Sequence, residues 1–594
     1  MLKNYFKIAL RTLQKYKGYA AINILGLAIG LASAILILLY VQDELSYDKH
    51  HQNLESIYRV TSHGKFRSDE MKQAVTGFPV GPTLKRDFPV VEEFVRMEAL
   101  DKSEFRIGDK KFVERELLFA DSSLFDVFTI PMVKGNKNKA LADPNKVVIT
   151  ESTAKRYFGT KDPLGKTIYW KNRDIELEVS GVIKDCPETS HFQYELIVSI
   201  VTSRRINNPV WLNNAVYTYV MLQDGAKPTK LKEQFPGMIK KYIGPEVERF
   251  FGSSLDEFYK SGNDWGYKLQ PLEDIYLTSD LDLEIGKVGN KNNVYFFSII
   301  AVFLIFIAVI NFMNLSTAKS ANRAKEVGIR KVSGSFRKQL VLQFLTEAFF
   351  ITFLALIVAT VLVELFLPAF NNLANKNLAM HYFQEPVFML ALLGLGVIVS
   401  LLAGSYPAFY LSAYKPVGVL KGKLGAGAKN SKFRSTLVVF QFIITIVLFV
   451  STFLVNRQMQ YVSNKDLGFD REHVLLVNQI NALGNKKTAF RQELLKNPNI
   501  KTASYSRGVP GEIGGKTAFY PESKSSKESM LYDFNVTDCY FQETYNIQMD
   551  EGRFFSENFS TDSLAVVINE AAARKMGYES PVGNRRISRC KNRH

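Results

Sequence analysis

Five long apolar runs constrain this 594-residue chain more than any other feature. They lie at 20–41, 294–315, 343–367, 387–413 and 435–455. About 20 apolar residues in helical form cross the ~30 Å hydrocarbon core of a bilayer. Within lipid every backbone N–H and C=O must be satisfied inside the segment, so each run must be a helix. The sequence therefore predicts an α-helical membrane protein with five transmembrane helices. A mean hydropathy of −0.05 hides this, because long stretches of ordinary sequence separate the runs.

Basic residues orient the runs. Residues 1–19 carry Lys3, Lys7, Arg11, Lys15 and Lys17 and no acid. Residues 318–340 carry Lys319, Arg323, Lys325, Arg330, Lys331, Arg337 and Lys338 against Glu326. Residues 414–434 carry Lys415, Lys421, Lys423, Lys429, Lys432 and Arg434 and no acid. These three segments account for the whole net charge of +17. Charge confined to alternate loops is the positive-inside signature of the cytoplasmic face. It is not the basic face of a nucleic-acid binder. The path that follows has a cytoplasmic amphipathic lead at 1–19 and a first crossing at 20–41. An extracytoplasmic domain at 43–290 comes next, then a three-helix membrane domain at 294–413 containing the 318–340 loop. A basic cytoplasmic linker at 414–434, a fifth crossing at 435–455 and a second extracytoplasmic domain at 456–594 complete it.

Both outer segments read as α+β. Ile57-Tyr-Arg-Val-Thr-Ser and Val147-Val-Ile-Thr have strand character, Ser152-Thr-Ala-Lys-Arg-Tyr-Phe helical character, and Asp143-Pro144 and Asp162-Pro163 mark turns. The two segments also repeat one another. Val147-Val-Ile-Thr-Glu-Ser-Thr-Ala-Lys-Arg-Tyr-Phe-Gly aligns with Val566-Val-Ile-Asn-Glu-Ala-Ala-Ala-Arg-Lys-Met-Gly. Upstream, Asp121-Ser-Ser-Leu-Phe-Asp-Val-Phe parallels Thr537-Asp-Cys-Tyr-Phe-Gln-Glu-Thr-Tyr. One fold core is expected in both. The second copy is expected to be incomplete, since it runs into a basic tail, Arg585-Arg-Ile-Ser-Arg-Cys-Lys-Asn-Arg-His594.

Chemistry-bearing motifs are scarce. Gly159-Thr-Lys-Asp-Pro-Leu-Gly-Lys-Thr167 approaches a phosphate-binding loop, but five residues rather than four separate its glycines, and it reads as a turn. Hence ATP hydrolysis is not expected in this chain, and no catalytic residue, metal or resident cofactor is assigned. His50-His51 reads as a solvated turn after the first crossing. Three widely spaced cysteines (Cys186, Cys539, Cys590) suggest neither a disulfide framework nor a zinc site. Glu347 and Glu364 fall in the third run, where acids are functional candidates or helix-packing groups. Gly26 and Gly30 form a GxxxG pair, and Gly396, Ser400 and Gly404 give a second small-residue face for helix packing.

One stretch carries more than charge. Ser320-Ala-Asn-Arg-Ala-Lys-Glu-Val-Gly-Ile-Arg-Lys-Val-Ser-Gly334 sits between the second and third runs, followed by Gln343-Phe-Leu-Thr-Glu347. It reads as a short helix, a break at Gly328 and a further turn ending at Gly334. With Asn23-Ile-Leu-Gly-Leu-Ala-Ile-Gly30 and Ser405-Tyr-Pro-Ala-Phe-Tyr-Leu-Ser, it resembles the FtsX/MacB-type ABC transporter permeases, in a two-module form that is C-terminally incomplete here. The resemblance implies extracytoplasmic domains of MacB periplasmic-core type. It implies a multi-pass protein of the bacterial inner membrane with a cytoplasmic N-terminus. It also implies docking of a separate cytoplasmic ABC ATPase dimer, which would hold ATP and magnesium, on Arg323, Lys325, Glu326, Gly328, Arg330, Lys331 and Gly334. A periplasmic adaptor and an outer-membrane channel are further candidate partners. Two functions stand open under this resemblance. One is an export or extraction permease for an unspecified substrate. The other is an FtsX-like regulator of a cell-envelope hydrolase that transports nothing.

Overall fold

The structure is a computed structural model. It describes every residue except 1–10, 12–13, 67–68, 101, 319–326, 381–385, 414–427, 479, 512–514, 522–529, 584–585 and 588–594. The chain divides into two units: Met1–Ser46 with Gly289–Asn464, and Tyr47–Val288 with Lys465–His594.

The first unit is helical: α1 (Lys17–Glu44), α2 (Lys291–Ala318), α3 (Arg337–Ala374), α4 (Pro386–Ser412) and α5 (Ala428–Asn464). All five are long and apolar enough to cross a membrane, the qualifying part of α5 beginning at Ser435. Their core joins Leu27, Leu31 and Ile35 of α1 to Phe312 of α2, Ile351, Ala355 and Val363 of α3, and Val399 and Ala403 of α4. In lipid, helices associate through close packing rather than by escaping water, so small residues decide where backbones meet. A Cβ on Gly30 would lie 2.6 Å from Ala308 Cβ, and one on Gly26 3.2 Å from Asn311 Nδ2. On α4, a Cβ on Gly404 would lie 2.6 Å from Ala348 Cβ and one on Gly396 3.1 Å from Leu356 Cδ2. Between them Ser400 is buried and donates its hydroxyl to the Val397 carbonyl at 2.8 Å. By contrast α5 leans on α2 and leaves Phe442, Phe449 and Leu454 exposed.

These contacts give a measurable expectation. Gly404→Val should destabilise the helical unit by roughly 1–3 kcal/mol through overpacking. Gly394, on the same helix with open space around it, is the control. Thermal unfolding in detergent should separate the two variants; equal losses would show that the 2.6 Å approach to Ala348 is not a real constraint.

The second unit is α+β. Among the described residues one sheet of 13 strands dominates it. At its centre Lys146–Thr150 runs parallel to Ile175–Ile183 and antiparallel to Leu196–Ser199. Leu196–Ser199 in turn runs parallel to Leu117–Ala120. Lys146–Thr150, Leu196–Ser199 and Leu117–Ala120 are buried on both faces, whereas Ile175–Ile183 exposes Glu176 and Glu178. Val148, Ile197 and Leu118 enter one core, while Val147, Ile149, Val198 and Phe119 enter another. That is why the three read as nearly continuous apolar runs rather than alternating ones. One edge of the sheet is Lys110–Glu114, with Lys110 and Lys111 exposed. A third core, around Trp265, Tyr267 and Leu269, packs the helices Phe235–Tyr242 and Gly244–Phe251.

Among the described residues, 465–594 add a three-stranded sheet and short helices. The repeat is visible at matched positions. Asp121 accepts the Arg96 N–H at 2.8 Å, and Asp538 accepts the Tyr505 N–H at 2.8 Å. Each aspartate's own N–H returns to the partner carbonyl, at 3.2 and 3.0 Å. Thr150 caps Glu151–Phe158 by accepting from Thr153 N, and Asn569 caps Glu570–Met576 by accepting from Ala572 N. Gly159 and Gly577 end these helices at φ +64° and +79°. The expectation of one common core needs correcting at one point. Residues 566–569 are not a strand, whereas Lys146–Thr150 is. The first copy's strand is held by Ile175–Ile183 and Leu196–Ser199. No strand pairs with 566–569 among the described residues.

Candidate coupling site

The stretch singled out between the second and third runs is described from Val327 onward; Arg323, Lys325 and Glu326 lie outside the described residues. Residues 327–332 are helical, and Gly328 lies buried inside the helix rather than at a break. The break is at Gly334, whose φ is +91°. Ser335 N donates to Arg330 O at 3.0 Å and Gly334 N to Lys331 O at 3.1 Å. This bond pair is a Schellman stop, which needs a left-handed residue at the glycine position. Phe336 N–H then donates to Gln339 Oε1 at 3.0 Å, opening α3.

This turn is anchored to two helices. Val327 is buried with Leu340 and Phe344 of α3 and Ala408 and Leu411 of α4. Arg330 donates to Gln343 Oε1 of α3. Lys331 Nζ donates to the Ser412 carbonyl at 2.7 Å. That carbonyl is at the C-terminus of α4, where intrahelical donors run out and the dipole favours a cation. Two of the charged residues expected to meet a partner thus spend contacts on the protein's own helices. Facing away from the anchor are apolar side chains that charge-based reading passed over: Ile329, Val332 and Phe336, 58%, 67% and 73% exposed. The i, i+3 spacing of Ile329 and Val332 was the available signal for those two; Phe336 lies beyond the stop at Gly334, where no helical spacing links it to them. Within α3, Glu347 is buried and Glu364 exposed.

At the root of the outer domain the expected solvated histidine turn is corrected. His51 is only 4% exposed, and its Nδ1 accepts the Thr129 N–H at 3.2 Å. Burial, then the neighbouring His50, pushes its pKa down to about 3. Asp48 accepts from His191 Nδ1 at 2.8 Å, and His191 Nε2 meets the Tyr219 hydroxyl at 2.8 Å. Burial alone would raise the Asp48 pKa; His191 overcomes it and holds the carboxyl below its usual value. Arg59, fully buried, meets Glu284 through two bonds of 2.6 and 2.7 Å. No cluster of three His, Cys, Asp or Glu side chains suited to a metal occurs among the described residues.

Two family models fit this arrangement. One, described as MacB-like periplasmic core domain, matches residues 20–237. The other, described as FtsX-like permease C-terminal, matches residues 298–416, the α2–α4 segment with the anchored turn. Together they take in more than half of the chain.

The chain belongs to the FtsX/MacB-type ABC permeases.

Curated relatives of this permease include proteins named macrolide export ATP-binding/permease protein MacB. The Bdellovibrio bacteriovorus protein is 21% identical over 277 residues, 46% of this chain and 38% of its own length. Its Neisseria meningitidis counterpart is 24% identical over 260 residues, 42% of this chain and 33% of its own length. The permease thus spans 33–38% of the length of these relatives. Among solved structures, a domain of a Porphyromonas gingivalis protein described as a permease is 25% identical. It covers 37% of this chain and 91% of that one at a TM-score of 0.32. The periplasmic region of MacB from Actinobacillus actinomycetemcomitans is 16% identical and covers 38% and 92% at a TM-score of 0.26. At such scores the structural likeness adds nothing to the family models.

Proposed function

We propose that this permease is the transmembrane subunit of an ABC transporter that couples ATP hydrolysis in a separate cytoplasmic ATPase dimer to movement of its periplasmic domains. The substrate is exported or extracted. In this reading the N-terminus and the turn at 327–336 face the cytoplasm, as the basic segments require. ATP and magnesium belong to the partner. The observation that carries the reading is the anchoring of the turn. Val327 and Lys331 fasten it to the ends of α3 and α4, while Ile329, Val332 and Phe336 remain outward. A load applied to the outward face therefore reaches two membrane helices together. Apolar anchors ringed by charge are what a specific docking element needs: buried contact for affinity and fixed charges for partner choice.

The test is copurification with the ATPase and its hydrolysis rate. Phe336→Asp should cost tenfold or more in association, the loss of one central anchor being about 1.4 kcal/mol or more. Glu326→Arg should impair partner choice. Unchanged copurification and rate in both variants, at normal membrane levels, would reduce the turn to a plain connector.

A further inference from the structure

The outer end of α3 is built as firmly as its inner end. Asn375 turns the chain in the left-handed region at φ +50°. Asn371 Nδ2 donates to Leu378 O at 2.9 Å, and its Oδ1 accepts Leu378 N–H at 3.0 Å. Leu378 and Met380 are buried in the helical core. This corner presents Lys376, whose Nζ lies 2.7 Å from Asp43 Oδ2 and 2.7 Å from Glu44 Oε1. Lys376 is 15% exposed and Glu44 3% exposed, so the pair is largely shielded from water and salt. Asp43 and Glu44 end α1, and the chain enters the outer domain at Tyr47.

We propose that Lys376 is a positioning residue that ties the outer end of α3 to the outer end of α1, so that a displacement begun at the coupling turn reaches the segment leading into the outer domain. This rests on the function proposed above. The 38 residues of α3 extend roughly 57 Å at 1.5 Å per residue. The helix therefore carries the coupling turn at one end and Lys376 just beyond the other. Between those ends, α1 and α3 meet through apolar side chains. Apolar packing in lipid has little directional preference, and packed helices can slide in shear. A cation held between two carboxylates fixes the relative height of the two helix ends.

The experiment uses the full chain with its copurifying ATPase in lipid nanodiscs, the native cysteines replaced, with spin labels placed in pairs. Leu373 and Phe449, 86% and 75% exposed, report movement of α3. Leu45 and Leu373 report the joint. In the unaltered joint, ATP with vanadate should shift the first distance and leave the second unchanged. In Lys376→Met, and in the neutral triple variant Lys376→Met/Asp43→Asn/Glu44→Gln, the second distance should become nucleotide-dependent while ATPase copurification is retained. Lys376→Arg should restore a fixed distance. The triple variant strands no buried charge and guards against simple misfolding. A constant Leu45–Leu373 distance in the triple variant, with the Leu373–Phe449 shift intact, overturns the joint alone. No shift of either pair in the unaltered chain overturns the transport reading and the joint with it.

Discussion

Glu284→Ala should destabilise the outer domain by roughly 3–5 kcal/mol, the cost of stranding a buried charge. The Arg59 side chain is completely buried. Its guanidinium meets both Glu284 oxygens and also donates to Gln270 Oε1 at 2.8 Å and Ser279 Oγ at 3.1 Å. Removing Glu284 leaves two neutral acceptors and no counter-charge. The double variant Arg59→Met/Glu284→Leu should regain most of the loss, because replacing both members with apolar side chains removes the desolvation penalty as well. All three tryptophans, Trp170, Trp211 and Trp265, belong to this domain. Urea unfolding of the full chain in detergent, followed by tryptophan fluorescence, therefore reads the domain without interference from the helices. A single-variant loss below ~1 kcal/mol, the range of an exposed pair, would show that Arg59 is solvated.

Acid should weaken the same domain through its histidines. His51 is pushed down to about 3, and His63 to about 4 by burial and then by Lys268 and Lys72. Both folded-state values lie below the ordinary 6.5, so the unfolded chain binds more protons in that window. Stability is full above pH 6.5 and declines as pH falls toward the folded values. Between pH 7 and pH 5 each histidine should cost about 2 kcal/mol. Glu114 acts in the opposite sense. Burial, then Glu195, raises its pKa above the usual carboxyl value, so its share of stability grows as pH falls from neutrality. The expected profile is a net acid loss that His51→Phe flattens and Glu114→Gln steepens. Parallel profiles for wild type and His51→Phe would mean that His51 is protonated, and therefore wet, in the folded state.

Legibility in the sequence followed the range of the interactions. The five candidate spans are written in runs of residues, because helical length against bilayer thickness is a local property. The place of the coupling turn was equally local, as was its stop at Gly334, a glycine at the helix end. Gly328 misled because a glycine inside a helix is as free to break it as to be buried. Arg330 and Lys331 were legible as charges but not as anchors, since Gln343 and Ser412 meet them only after α3 and α4 have packed. The buried root was hidden for the same reason. Asp48 meets His191 across 143 residues and Arg59 meets Glu284 across 225. Lys376, one lysine in a nearly uncharged outer loop, and the acidic pair Asp43-Glu44 were each visible, but nothing local linked them across 333 residues.

The sheet edge at Lys110–Glu114 bears on how such a protein lives among its own copies. Anchored proteins diffuse in two dimensions, where like domains meet side by side at the same height far more often than they would free in solution. A bare strand edge held at constant height is a template for lateral zippering. Lys110 and Lys111 occupy that edge, and two copies approaching through it would bring like charges together over a backbone that no further strand pairs among the described residues. That charge pair guards this edge against lateral sheet pairing as copies crowd together.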